Sequence, residues 1–227
     1  MTVDAAPLLL IGGGVLAVEV AACARRLGRE VLGCLDDDPG LIGQTRPGGL
    51  KLWGTTDAIM TLDALSDEVE TDLLVCVRQG VTRRLVVERM LAAGVEARRF
   101  TTLVDPAAVV DEGVELGEGT VVLAGAVCSE PAVFGAHVLV MSHATVNRDA
   151  VVEAYVTMAA GVTLGSGVHI GTEAFLGREA RVSAHVRVGA RSILGAGSEL
   201  LSDLADGETW TWSATQPDVG AHVSQQH

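Results

Sequence analysis

The 227-residue chain carries 16 basic and 29 acidic side chains, a formal net charge of −13. That surface repels phosphate backbones and anionic headgroups, so nucleic acid and the membrane surface are not expected partners. Apolar residues make up 48% and aromatic ones 3%, which excludes a disordered chain and leaves Val, Leu, Ala and Ile to build the core.

The first hundred residues alternate short apolar runs with helical stretches. Leu8–Ile11 predicts a buried strand that runs into Gly12-Gly13-Gly14, and Val15 to Leu27 predicts a helix stopped by Gly28. Further strands are predicted at Glu30 to Leu35, Lys51 to Trp53 and Leu73 to Val77, with helices at Thr56 to Leu65 and Thr82 to Ala93. Alternation of this kind makes a parallel sheet with helices on its faces. The run Gly12-x-Gly14-x-x-Ala17, with Asp36 and Asp37 closing the second strand, fits a Rossmann-like nucleotide-binding turn. A glycine turn that only lets helix and sheet pack closely explains the same residues, and a solvated turn before Pro39 explains the same acids.

Cys23, Cys34, Cys76 and Cys128 form no CxxC pair and read as buried thiols of a reducing compartment. No apolar run approaches the roughly 18 residues of a membrane span, and the chain reads as cytoplasmic.

From Ala108 to Asp203 the chain divides into sixteen hexapeptides in a single phase. The third position, from Val110 to Leu200, is apolar in every one, the first is always Ala, Val, Thr or Ser, and Gly is the commonest fourth residue. Periodicity of this length sets the architecture. It resembles the hexapeptide-repeat acyltransferases, which implies a left-handed parallel β-helix with three six-residue faces per coil. Residues eighteen apart then stack at about 4.8 Å. It also implies a homotrimer with active sites in grooves between subunits.

An α/β domain placed ahead of such a helix narrows the resemblance to the NeuD/PglD family of sugar acetyltransferases. The stretches LLLIGGGVLAVEVA, CLDDDP, RRFTTLVDPAA and ATVNRDAVVEAYVTMAAGVTLGSGVHIG carry it. The implied organisation is a Rossmann-like domain over 1–101, a β-helix over 102–205 and a C-terminal strand and tail over 206–227. The implied activity is transfer from acetyl-CoA to a sugar, a nucleotide sugar or another small amine or hydroxyl acceptor. By the same carry-over Thr157, Ser166, Arg178 and Ala196 would line the CoA groove, where Arg181, Arg187 and Arg191 add positive charge for CoA. Gly14, Val15, Leu16, Asp36, Asp37 and Arg78 would face the sugar nucleotide.

The polar signature departs from the family. Its Gly-His after the first glycines is Val15-Leu16 here, its glycine after the fourth strand is Arg78, and its hinge His-Pro is Asp105-Pro106. The family's general-base His aligns with Arg148 and a second His with Thr157, while the family's closing motif is replaced by Trp210, Trp212, Ser213 and Gln216-Pro217. A guanidinium stays protonated and cannot take a proton from the acceptor. Arg148 would instead hold a substrate anion or an oxyanion, or form a surface pair with Glu130 one coil below. His143 is the alternative catalytic candidate, although His137, His143 and His185 fall on three different corners of the coil. That spacing gives no metal site, and none is expected. A catalytically inactive trimer that binds a ligand or protein partner is the second functional reading.

Overall fold

The computed structural model describes residues 6–38, 40, 41, 43–60 and 71–211. Near the N-terminus β1 (Leu8–Ile11), α1 (Val15–Arg26), β2 (Val31–Leu35), β3 (Thr45–Arg46), β4 (Leu50–Gly54), β5 (Asp72–Val75) and α2 (Gly80–Ala92) follow one another. The sheet order is β3-β4-β2-β1-β5, parallel except for the β3–β4 pair. The fully buried β1 is an interior strand, flanked by β2 and β5, as its uninterrupted apolar run requires.

Three local expectations are corrected. β3 was not foreseen, because a two-residue strand leaves no periodic trace. The helix predicted from Thr56 is a 3-10 turn over Thr56–Met60, and Thr61 to Leu65 lie outside the described residues. The fourth predicted strand ends at Val75, so Arg78 stands in the loop that leads to α2.

Beyond Leu103 the chain coils. Three parallel sheets of seven, six and five strands stack at an eighteen-residue register, seen in Val121↔Leu139, Val127↔Thr145 and Val133↔Val151. This fits a left-handed β-helix. The first face holds the strands from Leu103–Val104 to Thr209–Trp210, the second those from Val109–Val110 to Glu199–Leu200, and the third those from Val114–Leu116 to Arg187–Val188. Coiling thus starts one strand before Ala108, at a segment whose hexapeptide pattern is hidden by Asp105-Pro106. Trp210 is paired into the first face, whereas Trp212, Ser213, Gln216 and Pro217 lie outside the described residues.

Third-position side chains from Val122 to Leu200 are buried, and first-position Ala and Val complete one continuous core. Each such Val or Leu contributes roughly 1.5–3 kcal/mol on leaving water. The sixth position makes the corner: thirteen of the sixteen have positive φ, and eight of these, including His137, His143, Asp149 and Tyr155, are not glycine. Fourth-position glycines have a different cause. A Cβ on Gly165 would lie 2.5 Å from Ala184 N of the next coil, so close stacking demands its absence.

The α/β part rests on the first face. Leu16, Ala17, Val20 and Ala24 of α1 share one core with Leu103, Val121, Leu123 and Leu139 of the coil. Arg26 pairs with the buried Asp105, whose other oxygen accepts from Ala107 N at 2.9 Å. Burial alone would raise the Asp105 carboxyl, but the hydrogen bonds from Arg26 and Ala107 outweigh it and hold it below the ordinary range.

Candidate functional site

The turn after β1 is built from its own residues. Gly12 has φ +103°, and a Cβ there would meet Cys76 O at 2.9 Å, so only glycine fits. Gly13 N donates to Asp36 Oδ2 at 2.6 Å, and Asp38 N donates to Oδ1 at 2.8 Å. Asp36 therefore shapes the turn, with both of its oxygens engaged. Asp37 accepts from Thr56 N at 2.8 Å and pairs with Arg89 at 2.6 Å. Burial works to raise the Asp37 carboxyl, but those hydrogen bonds hold it below the usual range. Gly14 caps α1 without a side-chain bond, which leaves the first-turn amides at Val15 and Leu16 open.

Those amides border a cavity of about 350 Å³ lined by Gly14, Val15, Leu16, Glu19, Cys76, Arg78 and Met141. Four of the six residues expected to face a sugar nucleotide meet here, and Met141 of the coil closes the cavity from the first-to-second corner. Arg78 is exposed, and its guanidinium makes no hydrogen bond or ion pair among the described residues. Burial pushes the Cys76 thiol far above the usual range, so it is not a nucleophile.

The expected catalytic pair does not converge within one chain. Arg148 is exposed at the second-to-third corner and pairs with Asp149 at 3.1 Å, while Glu130 instead accepts from Gly113 N. His143 is exposed at the first-to-second corner, two residues from Met141 of the cavity, and its ring lies over Gly125. His137 and His185 occupy the other two corners. His137 is buried, edge-on to Phe100 and stacked on Tyr155 at 5.2 Å. Burial, helped by the nearby Arg83 charge, lowers its pKa to about 4.

The expected CoA residues divide. Arg178, Arg181 and Ala196 are exposed around the first-to-second corner of the last coils, and Ser166 stands one coil above Arg148 at the next corner. Arg187 lies on the third face with its Nη1 2.5 Å from His169 Nδ1, and Arg191 sits at the third-to-first corner. Thr157 is corrected: it is fully buried under the α/β part, where its hydroxyl donates to Arg78 O at 2.6 Å. Its outward position on the first face is what places it there. Among the described residues no three His, Cys, Asp or Glu side chains are grouped to hold a metal ion. Among them also, no helix is long and apolar enough to cross a membrane.

Sequence reasoning passed over Arg83, which is 0% exposed. A signal was present: Gly80, Arg83, Val87 and Met90 form the buried stripe of α2, so an arginine stands at an apolar position.

No protein-family profile and no curated protein matches the chain. Solved structures do. A perosamine N-acetyltransferase variant from Caulobacter crescentus, in complex with CoA and GDP-perosamine, matches with TM-score 0.82 and 28% identity over 92% of this chain and 94% of that one. WeeI from Acinetobacter baumannii, at TM-score 0.78 and 22% identity over 89% of this chain and 95% of that one, shares the fold. The acetyltransferase domain of PglB from Neisseria gonorrhoeae, in complex with acetyl coenzyme A, matches with TM-score 0.81 and 31% identity over 91% of this chain and 96% of that domain. With that identity over nearly the whole length of both, the chain belongs to the same acetyltransferase family as the PglB domain.

Proposed function

We propose that this protein transfers an acetyl group from acetyl-CoA to an amino group on a sugar or nucleotide sugar, as a member of the NeuD/PglD group. One observation carries the reading: the cavity at the open end of α1, closed by the coil, in a chain that matches CoA- and GDP-perosamine-bound structures along nine-tenths of its length. The α/β part then serves as a Rossmann-like acceptor domain, 1–101, ahead of the β-helix domain, 102–205. The α1 amides and the free Arg78 guanidinium supply positive potential for the acceptor's phosphates. Arg78 adds bulk and charge where the family keeps glycine, so it shapes the choice of sugar.

Acetyl-CoA supplies the acetyl group as a thioester. The exposed Arg178 and Arg181, unpaired among the described residues, fit its phosphates, and Ala196 leaves that corner open. The acceptor's neutral amine attacks the thioester carbon, the C–S bond breaks, and the proton shed by nitrogen ends on the departing thiolate. Arg148 takes no proton; it stabilises the developing oxyanion or holds a substrate anion. An amine acceptor suits this arrangement because it needs less help than a hydroxyl.

Val109, Val127, Val133 and Val151 stand exposed on the second and third faces. They supply apolar surface for the homotrimer, whose grooves would bring Arg148 or His143 of one chain to the cavity of another. The four buried free thiols suit a reducing cytoplasm. The ion pair between Arg148 and Asp149 is the observation that favours the second reading, an inactive binding scaffold.

Calorimetric titration with acetyl-CoA tests the reading. Saturable binding near one site per chain, weakened by Arg181→Glu, is the expected result. No binding at millimolar CoA overturns the transferase reading, and unchanged affinity in Arg181→Glu overturns the groove assignment.

A further inference from the structure

Arg83 is a fully buried cation that faces no carboxylate among the described residues. Its Nε donates to His137 O at 2.8 Å, and its Nη2 to Tyr155 O at 2.7 Å and Val156 O at 3.1 Å. Its Nη1 donates to Val77 O at 2.6 Å and lies 3.1 Å from both Arg78 O and Thr157 Oγ1. Five N–H groups thus meet six oxygens, all of them neutral. Burial without a counter-charge lowers its pKa to about 9, which leaves it charged at neutral pH.

A charge so placed is costly, and an apolar side chain would fill the site more cheaply if filling were its task. Only a planar fork reaches carbonyls of three segments at once: the loop from β5 to α2 at Val77–Arg78, the coil at His137, and the next coil at Tyr155–Val156. The approach is close, because a Cβ on Gly80 would lie 3.0 Å from Glu173 Cα. Beside it Arg84 pairs with Glu173 of the next coil. Two of the six acceptors, Val77 O and Arg78 O, belong to the loop that carries Arg78 to the cavity. The Thr157 hydroxyl closes the link by accepting from Arg83 and donating to Arg78 O.

We propose that Arg83 is a positioning residue. Its guanidinium pins the Val77–Arg78 backbone to the coil at Tyr155–Thr157 and thereby sets where the Arg78 side chain stands in the acceptor cavity. The structural half of this inference is independent of acetyl transfer, while its kinetic half rests on the function proposed above.

Arg83→Lys keeps the charge and loses the fork. Deuterium exchange of the full-length protein should quicken over residues 76–80 while the coil over 162–200 is unchanged. With GDP-perosamine as acceptor, KM should rise about tenfold, with kcat and the CoA Kd within about twofold. Thr157→Val, which removes only the hydroxyl link, should shift both readouts in the same direction by less, and it decides the matter if the lysine variant fails to fold. Unchanged exchange at 76–80 overturns the proposal. So does exchange that rises equally over the whole chain, since that would make Arg83 a general stability residue. If the wild type binds no acetyl-CoA, the transferase reading is what fails; if it binds but does not turn over GDP-perosamine, the choice of sugar is. In either case the exchange comparison still decides the role of Arg83.

Discussion

The second residue of the hexapeptide has opposite fates on different faces of one coil. On the first face Val121, Leu139 and Thr157 are 2%, 1% and 0% exposed, because the α/β part covers them. On the other two faces the same position holds Val109 at 57% and Val133 at 44% exposed, and further along the arginines Arg181 and Arg187. Position within the repeat therefore settles which side chains point outward, and the fold of the whole chain settles what outward means. The consequence is direct, since the covered face forms one side of the junction cavity through Met141, while on the other faces Arg181 stands exposed and Arg187 lies against His169.

The comparison can be broken at its covered end. Leu139→Ala should cost about 2–5 kcal/mol in urea unfolding, the range for an emptied core leucine. Val133→Ala on the third face should change the same measurement by less than about 0.5 kcal/mol in a single chain. A larger loss at Val133 that grows with protein concentration would assign the third face to a subunit contact.

The junction also predicts a pH dependence. His137 titrates at about 4 when folded but near 6.5 when exposed, so between those values the unfolded chain binds more protons than the folded one. Stability is therefore retained above about pH 6.5 and falls as pH drops toward 4, by on the order of 3 kcal/mol from this group. His137→Phe keeps the packing on Phe100 and Tyr155 and should flatten that part of the profile in thermal melts at stepped pH. A profile as steep as the wild type's would assign the acid sensitivity to other groups.

A smaller effect tests the coil itself. Gly165→Ala forces a Cβ against Ala184 N and should cost about 1–3 kcal/mol. No loss of stability there would show that the coils can separate locally. The smallest effect belongs to the open corner. Arg148→Ala removes an exposed pair and should leave stability within about 0.5 kcal/mol, whereas turnover should fall if Arg148 meets a developing negative charge. Arg148→His, which supplies a side chain able to take a proton, should raise turnover if that corner meets the acceptor.

Much of the coil was legible in the residues. The apolar third position, the small first position and the corner at the sixth each act between residues eighteen apart, so the pattern of one hexapeptide foretells its neighbours. The alternating strands and helices before it were legible for the same reason, apart from the two-residue β3. The candidate site was legible only in part. Gly14, Val15, Leu16 and Arg78 meet in one cavity, as their place around the ends of two parallel strands suggests. Thr157 and Asp36 keep their predicted addresses but serve other partners, one beneath the α/β part and the other at the Gly13 amide.

What the sequence by itself determined is the repeating coil, its core and the parallel sheet before it, because those depend on local periodicity and on near neighbours along the chain. Only the tertiary structure decided which face is covered, why an arginine lies inside α2's apolar stripe, and where the cavity opens. Those outcomes rest on pairs such as Arg83 with Thr157 and Arg26 with Asp105, which are 74 and 79 residues apart. No short pattern encodes such a pair, because each partner gains its meaning only when a distant segment brings it a hydrogen-bonding group away from water.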